Sequence, residues 1–254
     1  EVVYMPINVT YGPFTDIKVR EAAAKAINQE EILSAVYGGM GSVADTFLIS
    51  ALPESKVDAK YIIKFDPARA NALLDEAGWK MGANGIREKD GQPLKVTLWA
   101  QSDTSFKRLA EVVQGQLKAG GIDAEITIFD SSAIRDQYKS GKQQLAVRSY
   151  EWDNPDIIDW FFGGDRLGYP NVSMYNDPKA EELRAKAMSG SKTGEERTAN
   201  FKAYHEYVLS QFPFAPIYQP VVNVGYNKDR LVLPDKVRGT QIGAVTLMDV
   251  EVKE

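Results

Sequence analysis

Residues 94–152 read LKVTLWAQSDTSFKRLAEVVQGQLKAGGIDAEITIFDSSAIRDQYKSGKQQLAVRSYEW, and this stretch decides the fold. Leu94, Val96 and Leu98 alternate with Lys95, Thr97 and Trp99, the period of a strand. Ser102 or Asp103 then caps a helix with Phe106, Leu109, Val112, Val113 and Leu117 on one side, and Gly120-Gly121 closes it. Ile122, Ala124, Ile126 and Ile128 alternate again. Ser131 starts a short helix with Ile134 and Tyr138, stopped at Gly141, and residues 144–152 read as a third strand. Strand, helix, strand, helix, strand predicts an α/β fold: parallel strands need crossover connections, and helices supply them.

Working outward, residues 2–9 read as a strand followed by a turn at Tyr11-Gly12-Pro13. Asp16 caps a helix carrying Val19, Ala22, Ala23, Ala26 and Ile27. Asn28 with Glu31 marks the start of the next, which Gly38-Gly39 stops. Residues 40–65 are irregular, and a connection that long in a compact domain is functional or packed against something. Asp66-Pro67, Asp177-Pro178 and Thr193 with Glu196 open three more helices. Residues 213–226 are extended and Pro-punctuated, and residues 245–252 (VTLMDVEV) read as a last short strand.

The 254 residues carry a net charge of −5, too little positive charge for a general nucleic-acid binder. An apolar content of 44% supplies a core, and no run is long enough to span a membrane as a helix. With no Cys and the single His205, thiolate chemistry and Cys- or His-rich metal sites are excluded, and no cofactor motif is present. Glu1 opens straight into a strand-like segment, which reads as a mature product or an excised fragment.

Open α/β sheets bind ligands beyond the carboxyl ends of their strands. That rule selects Trp99 from the first strand and Arg148, Tyr150, Trp152, Asp153 and Asn154 from the third. The rings offer flat apolar faces, the carboxylate suits an ammonium, and the guanidinium suits an anion. Plainer readings stand beside these. Trp99 is also a good core residue, Arg148 a solvated strand residue, and Asp153 or Asn154 a helix cap before Pro155. His205, among Phe201, Tyr204 and Val208, reads as a packed or surface residue.

The motifs in order resemble the peptide/opine/nickel class (family 5) of bacterial extracytoplasmic solute-binding proteins that feed ABC importers. The resemblance rests on Asn8, Pro13, Phe14, Asp16, Val19, Arg20, Ala22, Ala26, Ile27, Asn28 and Glu30. It continues through FDPARANALLDEAGW (residues 65–79), LAEVVQGQLKAGGIDAEI (109–126), NVSMYNDPKAEELRAKAM (171–188) and ERTANFKAYHEYVLSQFPFAPIY (196–218). It implies a periplasmic-binding-protein-like lobe, three layers around a βαβαβ core with peripheral helices. Residues 10–212 would be the second, ligand-binding lobe of a two-lobed receptor. Residues 1–9 and 213–254 would be hinge crossings and a C-terminal segment belonging to the first lobe.

In peptide-binding relatives the strand before the pocket is followed by a Trp-x-x-Asp segment. Tyr150 stands in the aromatic's place here and Asp153 in that of the carboxylate holding a peptide's α-ammonium. Trp99 matches a pocket-facing aromatic. The implied partners are a small solute or short peptide and a membrane permease, with no nucleic acid. The implied protein is a monomer, periplasmic or lipid-anchored outside a Gram-positive cell. The implied role is non-catalytic capture of a peptide, opine or oligosaccharide. Two rivals stand against it: a chaperone-like or signalling receptor on the same scaffold, and a hydrolase using Glu151 and Asp153. Those two carboxylates share one strand face, whereas a glycosidase pair flanks its substrate.

Overall fold

The computed structural model describes residues 1–221, 225–233 and 250–253. Its strands are β1 Val2–Pro6, β2 Ser42–Val43, β3 Lys80–Met81, β4 Arg87–Lys89, β5 Gln92–Pro93, β6 Lys95–Gln101, β7 Asp123–Phe129, β8 Leu145–Ala146, β9 Arg148–Tyr150, β10 Phe214–Gln219, β11 Leu231–Val232 and β12 Glu251–Val252. Its α-helices are α1 Ile17–Lys25, α2 Gln29–Tyr37, α3 Pro67–Glu76, α4 Thr104–Ala119, α5 Ala133–Lys139, α6 Ile157–Phe162, α7 Pro178–Ser189 and α8 Gly194–Ser210.

The expected βαβαβ unit is present as β6-α4-β7-α5-β8. Strand β6 lies between β7 and β8, parallel to both, in registers such as Lys95↔Asp123 and Leu98↔Leu145. Because side chains alternate across a strand, β6 feeds two separate clusters. Val96, Leu98 and Ala100 join the main core with Leu109, Val113 and Leu117 of α4. Trp99 joins Ile134 and Tyr138 of α5, Ala146 and Val172 on the other face. Helix, sheet and helix are the three layers.

The third strand differs from its sequence reading. Only Leu145–Ala146 pair with β6. On its other edge the strand pairs antiparallel with the chain's start, Val2 facing Tyr150, Tyr4 facing Arg148 and Ile7 bridging Leu145, and beyond Val147 it leaves β6 and keeps that ladder. The cause is β1 itself. Its residues, VVYMP, are all buried, and as an inner strand it needs a partner on each edge. Strand β10 takes one edge and β9 the other, giving the antiparallel order β2-β10-β1-β9. Residues expected to lead to another lobe thus form the centre of this sheet.

The helix starts follow the capping chemistry. The side chains of Asp16, Asn28, Asp66, Asp103, Asp177 and Thr193 each accept from a backbone N–H of the first turn. Gly38 ends α2 at φ 62°, a left-handed conformation that a side chain would strain. Strands β3, β4 and β5 form a small antiparallel sheet of their own. Of the expected final strand, residues 245–249 lie outside the described residues. Glu251–Val252 pair with Leu231–Val232, and Val252 is 75% exposed.

His205 on α8 is fully buried and pins the irregular 44–55 segment. Its Nδ1 lies 3.1 Å from the Glu54 carbonyl oxygen, and its Nε2 accepts the Phe47 N–H at 3.2 Å. A carbonyl oxygen only accepts, so Nδ1 carries the proton and the ring is neutral. Burial pulls its pKa down to about 4, the Glu54 hydrogen bond acting the other way. Between pH 4 and 6.5 the unfolded chain therefore binds the proton that the folded one refuses. This contribution to stability is complete above pH 6.5 and is lost as pH falls towards 4, by about 3 kcal/mol. Urea titrations across that window should show the loss in the wild type and its absence in His205→Gln.

Candidate functional site

The rim at the carboxyl ends of β6, β7 and β8 is where the strand crossing delivers Arg148. The residue is 6% exposed, and its guanidinium lies 5.1 Å from the ring centre of Tyr138, 5.3 Å from Tyr169 and 5.5 Å from Phe161. One Nη donates to the Pro170 carbonyl at 3.3 Å. Among the described residues it has no carboxylate partner. The Tyr138 hydroxyl is likewise buried without a hydrogen-bond partner, and burial pushes its pKa up to about 12 while Arg148 acts against that rise. A cation and a phenol, both short of partners, thus share one aromatic cage.

The other candidates divide into a buried base and an exposed lip. Trp99, 6% exposed, packs between Phe129 at 4.8 Å and Tyr138 at 5.8 Å. Tyr150 is buried against Phe47 and Phe161, and its hydroxyl donates to the Phe47 carbonyl. Its pKa is held well above the ordinary phenol value by that burial. Trp152 is 42% exposed, faces Trp160 at 6.3 Å, and donates from Nε1 to Asp156 at 2.8 Å. Asp153 is exposed and unpaired among the described residues. Asn154 accepts from the Asp156 backbone N–H and from Arg197. Neither Asp153 nor Asn154 is the residue flanking α6; Asp156 holds that place without a side-chain cap.

Sequence reasoning missed the cage itself. Tyr138 was legible only as an apolar position of a short helix, and Phe161 and Tyr169 carry no spacing signal linking them to residue 148. A cleft of about 340 Å³ lined by Lys95, Thr97, Gln114, Asp123, Glu125 and Gln144 lies at the opposite, amino ends of β6 and β7. Among the described residues no cluster of three His, Cys, Asp or Glu side chains could hold a metal ion.

Behind the lip stands an ion network centred on the buried Asp159. Asp159 on α6 accepts from Arg184 of α7 and from Arg166 at 2.8 Å. Arg184 also reaches Glu181 at 2.8 Å and Asp165 at 2.9 Å. The Arg166 guanidinium lies 4.2 Å over the Trp160 ring, so the network backs the tryptophan that faces Trp152.

The family model for bacterial extracellular solute-binding proteins, family 5 Middle, matches residues 1–169. A di/tripeptide-binding protein of Pseudomonas aeruginosa is 28% identical over 236 residues, 89% of this chain and 41% of that protein. The nickel-binding periplasmic protein of Escherichia coli is 32% identical over 144 residues, 56% of this chain and 27% of that protein. Among solved structures, the Bacillus subtilis oligopeptide-binding protein AppA in complex with a nonapeptide superposes with a TM-score of 0.78 at 26% identity. That match covers 86% of this chain and 44% of AppA. The chain spans less than half the length of the relatives it matches.

The Asp159 network generates a stability prediction. Asp159 is 4% exposed, and Asp159→Ala takes a charged partner from Arg166 and leaves Arg184 with Glu181 and Asp165 alone, so it should cost ~1.5–3 kcal/mol in urea unfolding. Glu182→Ala, which removes an exposed pairing, should cost under ~1 kcal/mol. Equal costs would show that the network is solvated.

Proposed function

The chain belongs to the bacterial extracellular solute-binding proteins, family 5, and from that premise we propose that it is one lobe of a receptor that captures a short peptide. The receptor works outside the cytoplasmic membrane as a monomer, without catalysis, and hands its solute to the permease of an ABC importer. Strands β1 and β10 run side by side and antiparallel, so the start of one and the end of the other leave together as a paired hinge to the first lobe. Closure of the two lobes traps the solute, and the closed form signals to the permease.

The observation that carries this reading is Arg148. A buried guanidinium with one carbonyl partner retains unused N–H donors, and an incoming carboxylate would accept from them in the planar geometry it favours. Tyr138 adds a neutral hydroxyl at the same place. Asp153, exposed on the lip, meets the opposite charge of the ligand. Trp152 and Trp160 offer faces to the side chains between. A zwitterion with an apolar middle, which is what a short peptide is, matches this order better than an uncharged oligosaccharide.

In the full natural protein, alanyl-leucine should bind with an affinity that calorimetry reads. Arg148→Gln should weaken it by ~1.5–3 kcal/mol, the worth of a charged hydrogen bond. The same variant should hardly alter the already weak binding of the dipeptide's C-terminal amide. Asp153→Ala should cost a similar ~1.5–3 kcal/mol for alanyl-leucine and nothing for its N-acetyl form. Equal binding of acid and amide by the wild type would remove Arg148 from the site, and equal binding of free and acetylated amine would remove Asp153.

A further inference from the structure

His205 lies outside the proposed site, yet it is joined to the site by an unbroken chain of contacts. Its Nε2 accepts the Phe47 N–H, and the carbonyl of the same residue accepts the Tyr150 hydroxyl. The Phe47 ring is a hub, with centroids 4.7 Å from Tyr150, 5.7 Å from Phe161, 5.2 Å from Tyr4 and 4.9 Å from Phe214. Phe161 in turn backs the Arg148 guanidinium. The segment that carries Phe47 lies between β2 and α3 and has only short 3-10 turns of its own. Backbone bonds hold its start, such as that from the Ala44 N–H to the Ile217 carbonyl, and side chains from elsewhere tether the part around Phe47 and Glu54: both nitrogens of His205, and Thr198, whose hydroxyl donates to a Glu54 carboxylate oxygen at 3.1 Å.

We propose that His205 is a positioning residue for solute binding: by holding the Phe47 peptide it sets Tyr150 and Phe161, and so fixes Arg148 against its aromatic backing. This rests on the reading that Arg148 meets the solute's carboxylate. The two ends of the imidazole have different roles. The Nδ1–H bond to Glu54 closes the far end of the loop, while the Nε2 acceptor governs Phe47.

Amide side chains separate the two ends. Gln places its oxygen near the Nε2 position and can still accept from Phe47, whereas Asn reaches only the Nδ1 position and leaves the Phe47 N–H without an acceptor. In the full natural protein, His205→Asn should weaken alanyl-leucine binding about tenfold by calorimetry, and His205→Gln should stay within about twofold of the wild type. With 3-fluorotyrosine incorporated, the ¹⁹F resonance assigned to Tyr150 by its loss in Tyr150→Phe should move in the Asn variant and hold its place in the Gln variant. Equal affinities in the two variants, or an unmoved Tyr150 resonance in the Asn variant, would overturn the proposal.

Should His205→Asn not fold, Tyr150→Phe decides. It cuts the same chain at its other end, and an unchanged affinity there would overturn the proposal. A wild type that binds no dipeptide would sink the peptide reading instead, leaving the Tyr150 resonance to test the positioning contact by itself.

Discussion

One short stretch of backbone, residues 145–150, belongs to two sheets, and the site depends on that double membership. Leu145–Ala146 are held parallel to β6 and Arg148–Tyr150 antiparallel to β1. Val147 is the pivot, its N–H donating to the Trp99 carbonyl at 2.9 Å. Had the strand run straight on beside β6, residue 148 would have continued the edge of the parallel sheet. The crossing sets it instead at the seam between the aromatic cluster under α5 and the one around Phe47. Ladder hydrogen bonds fix its backbone on both sides of the pivot, so the guanidinium sits on a rigid element rather than a loop.

Comparison with the other buried arginines shows what is unusual at that seam. Arg87 is satisfied by Asp75 at 2.9 Å, Asn71 at 2.8 Å and the carbonyls of Trp79 and Gly120. Arg20 is satisfied by the carbonyls of Phe14, Thr15 and Gln211 and ties the first helix to the end of α8. Arg148 is buried to the same degree with a single carbonyl among the described residues. Taking a charge out of water costs several kcal/mol, and stacked rings return only part of it. A group kept in that state is costly to the fold, and on the proposed reading an arriving carboxylate offsets that cost.

What was legible in the sequence was what is local. Asp16, Asn28, Asp66, Asp177 and Thr193 announce their helices because a cap acts within three residues. The alternation of 94–98 and the stripe of Leu109, Val113 and Leu117 follow from period alone. Asn8 and Arg20 stood out as motif residues, and the structure gives them work within the fold: Asn8 Nδ2 donates to the carbonyls of Gly141 and Gln143, bolting the chain's start to the approach of β8. What was not legible is non-local. Nothing near residue 147 says that its strand will part from β6 and stay with the chain's start, since the cause is the edge of β1, more than 140 positions away. The cage needed Tyr138, Phe161 and Tyr169 to converge from three segments. His205 read as a packed helix residue, which is correct for its ring and silent about its two nitrogens.

The division of the candidate residues into buried base and exposed lip carries its own physical logic. Binding loses affinity to two expenses, ordering side chains and stripping water from polar groups. For Trp99, Arg148 and Tyr150 both are already met in the folded lobe, because packing holds their rotamers and little water reaches them. For Trp152 and Asp153 neither is. Their surfaces stay wet until something covers them, and Trp152 is steadied only by its bond to Asp156. If these residues meet the solute as proposed, a rigid base with a wet lip makes contact with one end of it strong and immediate, and makes contact with the rest conditional on a second surface closing over it. On the proposed reading, that condition is what couples capture to closure: the free energy still to be gained at the lip is available only in the closed form, so the solute shifts the lobes towards it by the affinity that the open form leaves unused.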